Sequence, residues 1–182
     1  GDAKEPWSIF AVSLGGMVTL NWVERYPDDF QRAVVVNTSA GDLSSPFERF
    51  NPKNLGRVLT AATTSDPYKR ERTILSFSSN AAPERLDRLA TEWADIARAR
   101  RVPVSVLLRQ ISAATRSKSP TKLTTPTLVL ASTADRLVSV ECSKRLAKKL
   151  DLPIRLHSSG GHDLPFDDAD WVIDQVNQWV RA

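Results

Sequence analysis

The sequence WSIFAVSLGG, at residues 7–16, decides the fold. Its first six residues are mostly apolar and include β-branched and aromatic side chains, which predicts a short buried strand. Residues 16–26 then place apolar side chains at helical spacing, and Pro27 ends that pattern. Ser13 therefore stands at a sharp turn between a predicted strand and a predicted helix.

Similar apolar runs follow along the chain. Residues 32–37, RAVVVN, lack polar alternation, as a parallel sheet covered on both faces requires. Two more strands are predicted at 127–131 and 153–157, and two more helices at 140–150 and 168–180, the last with Asp167 or Asp168 as its N-cap. The predicted fold class is α/β, with a mostly parallel sheet flanked by helices.

The stretch from residue 42 to residue 122 has a different character, because no strand pattern is evident in it. Helical patterns cover 52–63, 67–78, 83–100 and 102–116, and a proline lies near the start of each. This stretch is predicted to be a helical cap or lid inserted into an α/β core formed by residues 1–41 and 123–182.

Composition limits the function classes. The 182 residues have a net charge of +4, and residues 42–122 alone carry 15 Lys and Arg against 8 Asp and Glu. No aromatic-interleaved basic motif accompanies these charges, so they are interpreted as solvated helix faces and no nucleic-acid partner is predicted. No apolar run approaches the ~18 residues of a membrane span. The single cysteine excludes an internal disulfide and favours a cytoplasmic location.

Ser13 is the candidate nucleophile. Ala11 and Gly15, two residues before and after it, are small enough to let the strand and helix backbones approach. Such a turn holds the serine up at the carboxyl edge of the sheet. The helix that follows points its positive end at the same place, so the backbone N–H of Leu14 is a candidate oxyanion donor.

A serine hydroxyl needs a base, and the base needs an orienting acid. Asp135 follows the strand at 127–131 through Ser-Thr-Ala, and His162 follows the strand at 153–157 through Ser-Ser-Gly-Gly. The carboxyl ends of parallel strands share one edge of the sheet. Ser13, Asp135 and His162 are therefore predicted to converge there as a catalytic triad.

Other reactive side chains have plainer interpretations. Asp163 adjoins His162 in sequence, which places it poorly to hold the same imidazole, so it is interpreted as structural. His157 lies within a predicted strand, where it packs or meets solvent. Cys142 is interpreted as buried and inert. Two histidines and one cysteine form no recognisable zinc site, and no Gly-rich phosphate loop is present, so no metal or cofactor is predicted.

Three motifs together resemble the α/β-hydrolase superfamily, in its serine-nucleophile, esterase-like branch: VSLGGMV at 12–18, TLVLASTADRLV at 127–138 and GGHDLPFDD at 160–168. The chain order of serine, acid and histidine is that of the family, although the family usually has Gly where this chain has Ala11. The resemblance implies hydrolysis of a small-molecule carboxylic ester, thioester or lactone through an acyl-enzyme, with residues 42–122 as the cap.

One departure from the family pattern concerns the start of the fold. The family begins with further strands and a loop that supplies a second oxyanion donor, and nothing before Trp7 could form them. We expect either a fragment of a longer chain or a truncated relative that lacks the N-terminal strands. A noncatalytic protein with a binding role or no activity is the alternative function, and transfer of the acyl group to an alcohol also stays open, as do substrate identity and oligomeric state.

Overall fold

The computed structural model describes residues 7–100 and 103–182. A parallel sheet in the order β1–β2–β3–β4 is formed by four strands, at Trp7–Val12, Phe30–Val36, Thr127–Ser132 and Ile154–His157. In the register, Val36 is paired with both Val12 and Leu130, and Ser132 with His157. The carboxyl ends of all four strands therefore meet at one edge, and the predicted α/β class is confirmed.

Helices connect and cover these strands. In chain order they are α1 Leu14–Arg25, α2 Pro46–Arg49, α3 Leu55–Thr63, α4 Pro67–Ser78, α5 Pro83–Ala99, α6 Val104–Arg116, α7 Val140–Leu150, α8 Leu164–Asp167 and α9 Ala169–Arg181. The short helices α2 and α8 were not predicted, because four residues carry too little periodicity to be recognised. Asp168 is the N-cap of α9, since its Oδ1 accepts a hydrogen bond from the Trp171 N–H at 3.0 Å.

Four of the predicted helix starts differ from the structure by one to three residues, and α1 and α9 begin at Leu14 and Ala169 instead of residues 16 and 168. Pro52 begins a short 3₁₀ turn, Pro52–Asn54, and α3 starts only at Leu55. Residue 102, where the last helix of the inserted stretch was predicted to start, lies outside the described residues, and α6 begins at Val104. Helix ends are the least certain part of any sequence-based prediction, because proline fits several positions of a first turn.

The central strands β2 and β3 are buried on both faces, which explains their continuous apolar sequences. On one face Val35 and Val129 pack with Leu20 of α1 and Leu146 of α7. The opposite face carries a second cluster, formed with α8 and α9 by Val34, Val36, Leu128, Leu130, Leu164 and Val172. The sheet is thus the middle layer of three, and its carboxyl edge is held rigidly by packing from both sides.

Within the described residues between β2 and β3, the regular elements are helices α2 to α6 and the 3₁₀ turn at Pro52–Asn54. Helices α4 and α5 pack as a pair around Leu75, Leu86 and Ala90, and Trp93 and Phe166 border this cluster. Phe166 belongs to α8, so the helical stretch is packed against the carboxyl edge of the sheet.

Strand β1 lies at one side of the sheet and, within the described residues, pairs only with β2. The side chain of Trp7 is 75% exposed, and Phe10 is also largely exposed. The neighbouring face of α1 continues this apolar surface with exposed Val18 and Trp22. Among residues 7–100 and 103–182, no strand pairs with the flank of β1 that faces away from β2, and unpaired backbone groups of this kind can accept a further strand.

Gly16 allows α1 to approach the chain that follows β2. A Cβ placed on Gly16 would lie 2.8 Å from both Cβ and Oγ1 of Thr38, which is closer than real Cβ atoms come. We expect Gly16→Ala to lower the free energy of unfolding by about 1–3 kcal/mol, because both residues are buried and the clash must be relieved by a backbone shift. Urea unfolding monitored by tryptophan fluorescence measures this loss.

The matched control is Gly56→Ala. A Cβ on Gly56 in α3 would meet nothing within 4 Å, so alanine should stabilise that helix by roughly 0.5–1 kcal/mol. The opposite signs of the two substitutions separate steric contact from helix propensity. A Gly16→Ala variant as stable as the wild-type protein would contradict the described approach of α1.

Asp42 ties the loop after β2 to the loop before β3. Its carboxylate accepts hydrogen bonds from the Ser119 N–H at 2.8 Å, the Ser119 hydroxyl at 2.7 Å and the Lys149 ammonium at 3.2 Å. Partial burial raises the pKa of Asp42, but these hydrogen bonds outweigh burial and lower the pKa from 3.8 to about 2. The ionised carboxylate therefore stabilises the folded state above pH 3.8, and this stabilisation is lost as the pH falls towards about 2.

We expect Asp42→Asn to lower the melting temperature near neutral pH, with the difference from wild type shrinking between pH 3.8 and about 2. Thermal unfolding across this pH range measures the effect. Asp174→Asn, at an exposed position of α9, is the control for a general change in net charge. A difference between Asp42→Asn and wild type that stayed constant down to the lowest pH would refute the assigned role of the Asp42 carboxylate.

Candidate active site

Ser13 occupies the sharp turn between β1 and α1 in a strained backbone conformation. Its φ is 54° and its ψ is −118°, a combination that costs an L-residue about 1–3 kcal/mol. Two hydrogen bonds of 2.8 Å hold it there: the Ser13 N–H donates to the Val36 carbonyl, and the Thr38 hydroxyl donates to the Ser13 carbonyl. The sequence predicted the turn, and the structure adds that the end of β2 fixes its conformation.

The close approach at this turn lies one residue further along than the small-residue pattern indicated. A Cβ on Gly15 would lie 3.5 Å from the Ala11 Cβ, which is ordinary van der Waals contact. The residue with no room for a side chain is Gly16, against Thr38. Ala11 in place of a glycine is thus accommodated by the absence of a side chain at Gly15.

Asp135 and His162 form a buried pair at the same edge of the sheet. His162 Nδ1 lies 2.7 Å from Asp135 Oδ2, and the two side chains are 6% and 1% exposed. Asp135 Oδ1 accepts hydrogen bonds from the Leu137 N–H at 2.7 Å and the Val138 N–H at 3.0 Å. Because a carboxylate only accepts, His162 carries its proton on Nδ1, and Nε2 has a lone pair available for a proton.

Ser13 and Leu14 complete the set of predicted site residues. Ser13 lies at the carboxyl end of β1, but the structure places no hydrogen bond between its hydroxyl and His162 among the described residues. Contacts of this kind often tighten only when substrate binds. Leu14 is the first residue of α1, so its N–H has no partner within the helix and lies at the positive end of the helix dipole.

His157 is a structural residue at the base of the His162 loop. Its Nδ1 accepts hydrogen bonds from the N–H groups of Ser159, at 3.2 Å, and Gly160, at 2.7 Å, and its Nε2 lies 3.1 Å from Asp168 Oδ2. The ring also packs edge-on against Trp171, with 4.8 Å between centroids. Hydrogen bonds from the Trp171 N–H and from the His157 side chain lower the pKa of the Asp168 carboxyl, and the bond from Trp171 has the larger effect. Of the two alternatives that the sequence left open for His157, packing or exposure to solvent, the structure shows packing.

The connection between α4 and α5 contacts the loops that carry both Asp135 and His162. The Asn80 side-chain amide donates to the carbonyls of Ala134 at 3.0 Å and Ser159 at 2.9 Å. Asp167 accepts from the N–H groups of Asn80 at 2.8 Å and Gly161 at 2.5 Å, and from the Ser79 hydroxyl. Sequence reasoning missed these contacts because the partners lie far apart along the chain and follow no local pattern.

Asp163 and Cys142 are the two other reactive side chains that the sequence singled out. The Asp163 N–H donates to the Ser78 carbonyl at 2.8 Å, and burial raises the pKa of the Asp163 carboxyl. Cys142 is fully buried, and burial raises the pKa of its thiol, as expected of an unreactive cysteine. Neither residue contacts the Ser13 turn through a hydrogen bond in the described part of the chain.

An open, mostly apolar groove runs along β1 and α1. It is lined by Ile9, Ala11, Val12, Ser13, Leu14, Gly15, Val18, Thr19, Trp22 and Gln110. Ser13 lines this groove, whereas Asp135 and His162 do not. The described residues hold no group of three His, Cys, Asp or Glu side chains placed to bind a metal. No described helix is long and apolar enough to cross a membrane.

The sheet order, the serine turn after β1 and the position of the His–Asp pair define an α/β-hydrolase fold. A family model described as serine aminopeptidase, S33, matches residues 2–169. The chain therefore belongs to the serine aminopeptidase S33 family within that superfamily. No curated protein matches the sequence.

Solved structures share the fold at low sequence identity. The meta-cleavage product hydrolase CumD from Pseudomonas fluorescens IP01 is 18% identical with a TM-score of 0.74, and the match covers 97% of this chain and 65% of that chain. The 2-hydroxy-6-oxo-6-phenylhexa-2,4-dienoate hydrolase from Rhodococcus sp. strain RHA1 is 20% identical with a TM-score of 0.70, and the match covers 98% of this chain and 65% of that chain. A thermophilic esterase from Thermogutta terrifontis is 18% identical with a TM-score of 0.65, and the match covers 97% of this chain and 65% of that chain. This chain thus spans slightly less than two thirds of each, and the likeness concerns the fold.

Proposed function

We propose that the protein is a serine hydrolase that cleaves a small-molecule ester, thioester or lactone through an acyl-enzyme. The observation that carries this proposal is the buried 2.7 Å hydrogen bond between His162 and Asp135 at the sheet edge where Ser13 is held in its strained turn. Strained backbone and a desolvated His–carboxylate pair on adjacent strand ends are costly features, which favours a catalytic role.

In the proposed mechanism, His162 Nε2 takes the proton of the Ser13 hydroxyl as Ser13 Oγ attacks the substrate carbonyl. The Leu14 N–H stabilises the oxyanion of the tetrahedral intermediate. His162 then donates its proton to the leaving alcohol or thiol, and an acyl-Ser13 ester remains. Water, deprotonated by His162, hydrolyses this ester and regenerates Ser13. Asp135 holds the imidazole in the required tautomer throughout, and the reaction requires no cofactor.

The helical stretch 42–122 is proposed to be the cap that shapes the substrate pocket. Its α4–α5 connection is hydrogen-bonded to the loops of both Asp135 and His162 through Asn80, which supports a position over the reacting groups. The structural neighbours include an esterase, a meta-cleavage product hydrolase and a 2-hydroxy-6-oxo-6-phenylhexa-2,4-dienoate hydrolase, and these activities support a small-molecule substrate. A cytoplasmic location is proposed from the single, buried cysteine.

Labelling with a fluorophosphonate probe, followed by mass spectrometry of the peptides, tests the proposal. The probe forms a stable adduct only with an activated serine, so an adduct on Ser13 and on no other serine is the expected result. Denatured protein is the control for nonspecific labelling. A folded protein that stays unlabelled at Ser13 would favour the noncatalytic alternative, in which the fold serves binding.

Amide hydrolysis at a peptide N-terminus is the second candidate function, because the matching family is described as serine aminopeptidase, S33. The same triad can perform both reactions, so labelling does not separate them. Comparing kcat/KM for p-nitrophenyl esters with kcat/KM for aminoacyl p-nitroanilides does. We expect the esters to be preferred, and a preference for the anilides with a free amino group would reverse the assignment.

A further inference from the structure

Asn37 is the first residue after β2 and has an unusual conformation. Its side chain is buried, with the residue 2% exposed, and its φ is 47°, in the left-handed region. Asparagine tolerates this region better than other residues with a side chain. Its N–H still donates to the Leu130 carbonyl at 3.0 Å, so the main chain keeps its place at the end of the sheet while the side chain turns along the edge.

Both the NH₂ group and the oxygen of the Asn37 side-chain amide form hydrogen bonds. Nδ2 donates to the His162 carbonyl at 2.8 Å and to the Gly161 carbonyl at 3.2 Å, while Oδ1 accepts from the Ser132 N–H at 2.9 Å. All three contacts match the chemistry of an amide in one orientation, since two carbonyls face the NH₂ and one N–H faces the oxygen. Asn37 thus joins the end of β3 directly to the main chain of His162.

The residues on either side of Asn37 hold the Ser13 turn. The Val36 carbonyl accepts the Ser13 N–H, and the Thr38 hydroxyl donates to the Ser13 carbonyl, each at 2.8 Å. A three-residue segment, 36–38, is therefore bonded to the nucleophile turn on one side and to the His162 loop on the other. In this segment, Asn37 makes the side-chain contacts to the His162 loop.

We propose that Asn37 is a positioning residue that sets the imidazole of His162 relative to Ser13. This inference rests on the proposed function. His162 follows Gly160 and Gly161, whose N–H groups are bonded to His157 and Asp167, but the carbonyls of Gly161 and His162 are held by Asn37. The Asn37 amide thus anchors this main chain from the rigid, buried end of the sheet, and a displacement of about 1 Å at a reacting group can lower a rate by about 10²-fold.

Two variants test the role. Asn37→Gly removes the amide, and glycine adopts φ 47° freely, so the backbone turn is retained. Asn37→Asp keeps the size and the acceptor for the Ser132 N–H but turns an oxygen towards the two carbonyls. We expect both to lower kcat by about 10²-fold with little change in KM, because a misplaced base affects the chemical step more than substrate binding.

Thr127→Val is the matched control. Thr127 is also 2% exposed, and its hydroxyl donates to the Thr125 carbonyl at 2.9 Å, but it lies at the opposite end of the sheet. This variant loses one buried hydrogen bond and should keep its kcat. If Asn37→Gly, or Asn37→Asp should the glycine variant fail to fold, has the same kcat as Thr127→Val, the amide is purely structural and the proposal is overturned.

A second readout does not depend on turnover. The proton shared between His162 Nδ1 and Asp135 gives a proton NMR resonance far downfield of the amides when the imidazole is held in place. We expect this resonance in the wild-type protein and in Thr127→Val, and its loss or exchange broadening in Asn37→Gly. An unchanged resonance in Asn37→Gly would overturn the positioning role. Absent fluorophosphonate labelling of the wild type would instead overturn the proposed function, and the resonance would then still show whether Asn37 holds the imidazole in place.

Discussion

Replacement of Ser13 by alanine is expected to lower kcat for ester hydrolysis by about 10⁶-fold, the loss that removal of a triad nucleophile causes in serine proteases. In the proposed mechanism, the Ser13 hydroxyl oxygen is the atom that forms the acyl-enzyme. Steady-state kinetics with a p-nitrophenyl ester measures the change, and the fluorophosphonate adduct should disappear with it. A Ser13→Ala protein with wild-type kcat would exclude the proposed mechanism.

A second variant, Ser13→Gly, tests the backbone strain of the turn separately from the loss of the hydroxyl. Both substitutions remove the hydroxyl, but only glycine relieves the strain of φ 54° and ψ −118°. We therefore expect Ser13→Gly to be as inactive as Ser13→Ala and more stable than it by about 1 kcal/mol. Urea unfolding of the two inactive proteins measures the difference. Equal stabilities would mean that the turn stores no strain.

Asp135→Asn should lower kcat by about 10⁴-fold, as the equivalent change does in a serine protease. An asparagine can keep its oxygen on the Leu137 and Val138 amides, which are 2.7 Å and 3.0 Å from Asp135 Oδ1, so its NH₂ then faces His162. This reverses the hydrogen bond and places the imidazole proton on Nε2, where it blocks the acceptance of a proton from Ser13. The rate of fluorophosphonate labelling, followed over time, measures the loss of serine activation.

The control for this change is Asp163→Asn. Asp163 directly follows His162 in sequence and was the alternative acid, but Asp135 is the carboxylate within 2.7 Å of His162 Nδ1. We expect Asp163→Asn to keep kcat within a few-fold of wild type. If the larger loss came from Asp163→Asn, the acid of the triad would have to be reassigned.

The sequence predicted those parts of the site that follow local rules. An apolar strand, a tight turn with small residues and an amphipathic helix identify Ser13 within a dozen residues, and β1 has the bounds that were predicted for it. Asp135 and His162 each follow a short apolar strand, so the parallel topology brings them to one edge. Their direct contact adds support for the predicted triad, whose catalytic role stays a prediction.

Other features depend on contacts that no local pattern encodes. The Asn37 amide meets the His162 carbonyl across 125 positions, and the Asn80 amide meets the Ser159 carbonyl across 79. A side chain at position 16 would clash with Thr38, which lies in the loop after β2. One signal was available for Asn37: an asparagine directly after a buried strand marks a position where the chain can turn into the left-handed region.

Strands β2 and β3 are hydrogen-bonded neighbours although residues 37–126 separate them in the chain. The entropy lost on closing such a loop grows slowly, by about 0.6 kcal/mol for each doubling of its length. Evolution can therefore lengthen, shorten or reshape this stretch at small thermodynamic cost to the sheet. The cost falls on folding speed instead, because pairing of residues far apart in sequence is slow. The architecture thus tolerates variation in the length of this stretch better than it allows rapid folding.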